Sequence, residues 1–285
     1  MGDIMKRLLY VAAAILLIAN TIHAGPLLWR GPKTAPQGKP IFMVGLGYSK
    51  TDKSYNWADE EWTEIAGDNQ TTVINSHFML GYAPVNKWEV MTHIPVMYKS
   101  RDTLSSLGFQ DIWLKTRYNF LGGKTSPYLT GVAAVRVPTA SEDADILLDD
   151  RTIDFALGAL FMQTFNPVII HLKAGYWLNG SKETAAGDVN VGDDIEIILK
   201  PEYVFTPKVK AFLNFTWVET LKSKDEGGND ITNSEKRRLT VSPGIVAKPI
   251  PGLSVRPKLL IPIEAVNKGG SNFTWKIGLD LWYVP

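Results

Sequence analysis

From Ile41 to the last residue the chain alternates apolar and polar positions in short runs. In the final run Phe273, Trp275, Ile277, Leu279, Leu281 and Tyr283 take the odd positions, with Thr274, Lys276, Gly278 and Asp280 between them. Successive side chains on a strand point to opposite faces, so this period of two predicts a strand with one greasy and one wet face. The same rhythm recurs over Phe42–Tyr48, Ile74–Tyr82, Trp88–Tyr98, Ile112–Phe120, Leu129–Val137 and Ile153–Phe165. It continues over Ile170–Leu178, Ile195–Phe205, Val209–Trp217, Leu239–Ala247 and Val255–Ile263, for about twelve strands in all.

The connections alternate in length. Ala83–Lys87, Gly122–Ser126, Asn166–Pro167, Pro207–Lys208 and Pro249–Gly252 are tight, whereas Thr51–Gln70, the acidic Thr139–Arg151 and the charged Lys222–Glu235 are long. Short turns on one side and long loops on the other, with an even strand count, predict an all-β fold: a transmembrane antiparallel up-and-down β-barrel over residues 40–285. Short periplasmic turns and longer extracellular loops would leave both termini in the periplasm. Aromatic residues near strand ends (Tyr48, Tyr82, Trp88, Tyr98, Phe120, Phe165, Phe205, Tyr283) fit the girdles such barrels carry at the membrane interfaces. A soluble β-sandwich shares the alternation. The interface aromatics and the aromatic-rich last strand favour the membrane barrel.

The N-terminus strengthens that choice. Lys6 and Arg7 form a basic start, Leu8–Ile18 an apolar stretch too short to span a bilayer as a helix, and Ala24 a plausible last residue before cleavage. Residues 1–24 therefore read as a secretory signal peptide, implying export to the outer membrane of a Gram-negative cell. Residues 25–39 are rich in Pro and Gly and read as an irregular periplasmic leader. The chain has no cysteine, which excludes disulfide stapling and thiolate chemistry. A formal net charge of +1 over 285 residues gives no sign of nucleic-acid binding. The partners expected are outer-membrane lipid, a small-molecule solute and, during biogenesis, the barrel-assembly machinery.

Residues Gly108–Phe120 read Gly-Phe-Gln-Asp-Ile-Trp-Leu-Lys-Thr-Arg-Tyr-Asn-Phe. This resembles the strand motif Gly-x-x-Asp-x-x-Leu-x-x-Lys/Arg-Tyr of the outer-membrane family named for the MetA pathway of phenol degradation. Gly108, Asp111, Leu114, Arg117 and Tyr118 carry the match. The corner Arg136-Val-Pro-Thr139 and the lead-in Thr34-Ala-Pro-Gln-Gly38 resemble that family too. The resemblance implies a transporter-like outer-membrane channel for hydrophobic or aromatic compounds.

Strand parity sorts the remaining chemistry. His77, His93, Lys115, Arg117, Arg136, His171 and Lys173 fall on the wet face, as do Asp111, Asp154, Glu196, Lys200, Glu202, Arg238, Arg256, Lys258, Lys276 and Asp280. Mutual pairing is the ordinary fate of such charges in a confined lumen. Met79, Met91, Met97, Trp113, Tyr128, Met162 and Trp177 share the inward parity. An inward aromatic and thioether surface would suit weakly polar or aromatic solutes, or would pack the wall of a narrow lumen. No catalytic residue, cofactor or metal site is expected: the histidines fall inward, and no Ser–His spacing matches an outer-membrane phospholipase. The reading is a passive uptake channel, with a closed structural or adhesive barrel bearing ligand-binding loops as the alternative.

Overall fold

The computed structural model describes residues 31–123, 126–140, 146, 148, 152–184 and 187–285. The expected signal peptide, residues 25–30 of the leader and most of the acidic loop lie outside these. Sixteen strands are described, beginning with β1 (Pro40–Asn56), β2 (Glu61–Glu64), β3 (Thr71–Val85), β4 (Trp88–Arg101) and β5 (Leu104–Phe109). There follow β6 (Ile112–Leu121), β7 (Tyr128–Val137), β8 (Asp154–Phe165), β9 (Val168–Leu178), β10 (Ser181–Thr184) and β11 (Gly187–Asn190). The last are β12 (Asp194–Thr206), β13 (Val209–Thr220), β14 (Lys236–Ala247), β15 (Leu253–Pro262) and β16 (Ser271–Tyr283).

Each barrel strand pairs antiparallel with its sequence neighbour, and β16 returns to pair with β1. The wall has twelve staves, because β2, β10 and β11 belong to loop hairpins, while β5 and β6 pair in turn along β4 as one interrupted stave. In hydrocarbon an unpaired strand edge would leave amides without partners, so closure is what makes the wall viable.

The two faces are inverted relative to a soluble protein. Leu157 on β8 is 67% exposed and Phe165 61%, while Asp154 on the same strand is fully buried. Glu89, Arg117, Lys115 and Lys173 are likewise buried inside. At the short-turn end Tyr118 and Phe120 meet edge-on at 5.1 Å, and Tyr203 and Phe205 lie 5.0 Å apart on the outer face. Beside them the Trp88 indole N–H donates to Thr116 Oγ1 at 2.6 Å, which leaves its ring facing outward.

One position departs from the alternation. Phe273, assigned above to the greasy face, is 7% exposed and points inward. Pairing between β1 and β16 shifts register around Thr51, and bulges of this kind re-aim the side chains beside them. From Trp275 onward the expected parity holds.

The Gly108–Phe120 segment acquires a structural reason here. At Gly108 a Cβ would come within 2.9 Å of Leu148. Asp111 Oδ1 accepts the N–H groups of Thr139 and Ala140 at 2.9 and 3.1 Å, and Thr139 Oγ1 in turn accepts the Ile112 N–H at 3.0 Å. The two motif segments thus clasp each other where β5 gives way to β6, and they hold the start of the acidic loop.

The outward face yields a test. Leu172, midway along β9, faces out between Phe161 on β8 and Leu199 on β12. Leu172→Arg should cost about 2–4 kcal/mol of folding stability in lipid vesicles. Reversible denaturant unfolding would read this, and an unchanged midpoint would place Leu172 away from hydrocarbon.

Candidate functional site

The inward parity gathers the ionisable side chains of twelve strands into one lumen, where each charge needs a partner. Glu89 on β4 and Arg117 on β6 lie 3.2 Å apart. Arg136 on β7 pairs with Asp154 on β8, and Lys258 on β15 with Asp280 on β16 at 2.8 Å. Glu202 on β12 gathers three groups: Lys200 at 2.7 Å, Lys210 at 3.2 Å and His171 Nε2 at 3.4 Å.

Residues 31–38 run into the barrel's short-turn end. The Arg117 guanidinium donates to the Gly31 carbonyl at 2.5 Å, and Thr130 Oγ1 donates to the Pro32 carbonyl at 2.6 Å. Asn119 Nδ2 reaches the same Pro32 oxygen at 3.4 Å, and the Ala35 N–H donates to Glu89. Lys33 Nζ lies 4.8 Å from the centre of the Tyr128 ring. Ala35 packs into a buried cluster with Ile41, Met43, Met79, Ala83, Met91 and Trp282. Gly38 N–H then donates to the Ala83 carbonyl, carrying the chain into β1.

The inward candidates therefore divide. Met79, Met91, Tyr128, Arg117 and His171 lie around the leader, His171 within 3.3 Å of where a Cβ on Gly31 would sit. His77, His93, Trp113, Arg136, Lys173 and Trp177 line a cavity of about 480 Å³ that runs toward the long-loop end. Trp113 and Trp177 meet edge-on at 4.6 Å within a patch that includes Leu160 and Ile198. Lys115 reaches over the Trp113 ring at 5.4 Å. Met162 is buried opposite Tyr128 and His171, and Met97 opposite Asn75, both apart from the tryptophan pair.

His77 and His93 stack edge-on at 5.6 Å, with His77 over Gly45, where any Cβ would overlap its ring. Among the described residues no group of three or more His, Asp or Glu is placed to hold a metal ion. Glu89, Asn119 and Thr130 were not among the sequence candidates. Parity along β4 marks Glu89 as inward, but nothing in the local sequence says that the leader folds back to meet it.

Glu202 joins three basic side chains in the lumen. Glu202→Gln would leave Lys200 and Lys210 facing each other beside His171 without a counter-charge. The expected loss is about 3 kcal/mol, at the low end for a broken buried pair because Lys210 retains some contact with solvent. Heat-modifiability on gels and thermal unfolding would show it, and wild-type stability in the variant would contradict the pairing.

No protein-family model matches the chain, and no curated protein matches it. Solved structures do. The COG4313 outer membrane channel from Pseudomonas putida F1 superposes with a TM-score of 0.75 at 12% identity, covering 93% of this chain and 100% of that one. The NanC porin gives 0.52 at 8% identity, covering 85% and 97%. The β domain of the Bordetella autotransporter BrkA gives 0.50 at 13%, covering 87% and 99%. At these identities the likeness is one of fold, and the fold shared is that of bacterial outer-membrane β-barrels.

Proposed function

We propose that this protein is an outer-membrane channel for small solutes with an apolar body, closed at its short-turn end by its own N-terminal segment. The observation that carries the reading is the lumen itself. A closed twelve-stave wall encloses a cavity of about 480 Å³, and the leader lies across its inner end. A barrel that served only as a scaffold would have no use for an internal cavity lined by paired tryptophans. The COG4313 protein is called a channel, and the motif resemblance points to transport of hydrophobic or aromatic compounds. Both support the reading without fixing the solute. In this reading the short turns and both termini face the periplasm, residues 1–24 direct export, and the aromatic end of β16 is the part met by the barrel-assembly machinery.

Residues 31–38 take no part in the strand ladders, so in this reading removing the leader opens the lumen without touching the wall. In planar bilayers the full mature protein should show low conductance, and a variant lacking residues 25–38 should conduct several-fold more. A correctly folded deletion variant that carries no current would overturn the channel reading in favour of a closed barrel. Equal conductance in the two proteins would remove the leader's gating role.

A further inference from the structure

The cavity has two chemically distinct walls. In the circuit of staves β6 and β14 lie half a turn apart. On the β6–β9 side the lining is the Trp113–Trp177 pair, with the Arg136–Asp154 ion pair and Lys173 beside it. On the β14–β16 side it is cationic, with Arg238, Arg256 and Lys276 among the lining residues. The whole cavity carries eight lysines and arginines against four aspartates and glutamates. The chain as a whole has a formal charge of only +1, so the excess of base is concentrated here.

The pairing described above accounts for two of the four acids: Asp154 is taken by Arg136 and Asp280 by Lys258. Of the others, Asp194 accepts from Thr220 Oγ1 at 2.5 Å. Among the described residues Arg238 and Lys276 have no carboxylate within ion-pair distance, and Arg238 is exposed to the cavity. The Lys276 ammonium lies 4.0 Å from the centre of the inward-turned Phe273 ring. The bulge that turns Phe273 inward thus adds an aromatic face beside the cations.

We propose that this cavity binds small aromatic carboxylates, the ring against the Trp113–Trp177 wall and the carboxylate toward Arg238 and Lys276. A purely apolar solute would leave Arg238 and Lys276 without a counter-charge, and a small inorganic anion would leave the tryptophan pair wet. A molecule with both ends satisfies both walls at once. The volume of about 480 Å³ falls within the roughly 300–1,000 Å³ usual for small-molecule sites. The inference deepens the channel reading, on which its transport meaning rests, by giving the solute a charge.

The test reads binding, which needs no conduction. Full-length protein folded in detergent is titrated with 4-nitrobenzoate, whose nitroarene quenches neighbouring tryptophans. Quenching should saturate, and benzoate should displace the probe at least about tenfold better than acetate or benzyl alcohol, each of which lacks one of the two contacts. The double variant Arg238→Gln, Lys276→Gln should weaken 4-nitrobenzoate binding by roughly tenfold or more. Benzyl alcohol competing as well as benzoate would overturn the proposal in favour of an apolar slot, and acetate doing so would reduce the site to an anion sink. Unchanged affinity in the double variant would also overturn it. Those wild-type comparisons stand even if the variant fails to fold. Saturable binding together with a folded leader-deletion variant that carries no current would sink the channel reading and leave the ligand class intact.

Discussion

A strand edge cannot be left open in hydrocarbon, and everything else in this protein follows from the pairing of β16 with β1 that removes the last one. Eleven residue pairs along that seam join the two ends of the chain's folded part, from Phe42 with Tyr283 to Ser54 with Ser271. Once the wall is closed, a side chain has only two places to go. One is hydrocarbon and the other is a lumen a few side chains across. Leucines and phenylalanines that would form the core of a soluble protein face outward, and lysines and glutamates face one another inside.

Confinement then decides the chemistry of the interior. A charge in the lumen cannot reach bulk water cheaply, so carboxylates are shared, and Glu202 serves three neighbours at once. The two walls nevertheless differ, because adjacent staves contribute in blocks. β6 to β9 bring Trp113 and Trp177 together beside two bases and Asp154, whereas β14 to β16 bring five bases with Asp280 as their one lining carboxylate. No residue acts alone here. The contrast comes from which staves stand half a circuit apart, a property of strand order and not of any local motif.

That distinction also explains what could be read from the sequence. Period-two alternation depends on nearest neighbours along the chain, so the twelve staves were legible, whereas β2 and the β10–β11 hairpin in the loops were not. Trp113, Trp177, His77 and Lys173, inward by parity, are buried in the structure. Parity failed at Phe273, where a bulge between two strands far apart in sequence resets the count. It could sort residues by face but not by height. Met79 and Met91 therefore looked like companions of Trp113, although they pack around Ala35 of the leader instead. The Gly108–Phe120 signature was visible as a pattern, but its meaning is a clasp between Asp111 and the Thr139 corner, which only the fold brings together.

The composition of the leader, which from sequence reads merely as irregular, suits a segment that crosses a polar lumen. A proline contributes a carbonyl but no N–H, and its fixed φ lowers the entropy lost on ordering. Pro32 is used in that way. Its oxygen is the acceptor for Thr130 and Asn119, and it brings no donor of its own that would need a partner. Gly31 offers its carbonyl to Arg117, and its lack of a side chain lets His171 approach. The Ala35 N–H goes to Glu89, the residue that also neutralises Arg117. The lumen supplies donors at Arg117, Asn119 and Thr130 and an acceptor at Glu89, and the leader presents the complementary set. Residues 31–38 take no part in the strand ladders on which the wall's stability rests. Closure of the barrel and closure of its lumen are therefore separate events with separate energies.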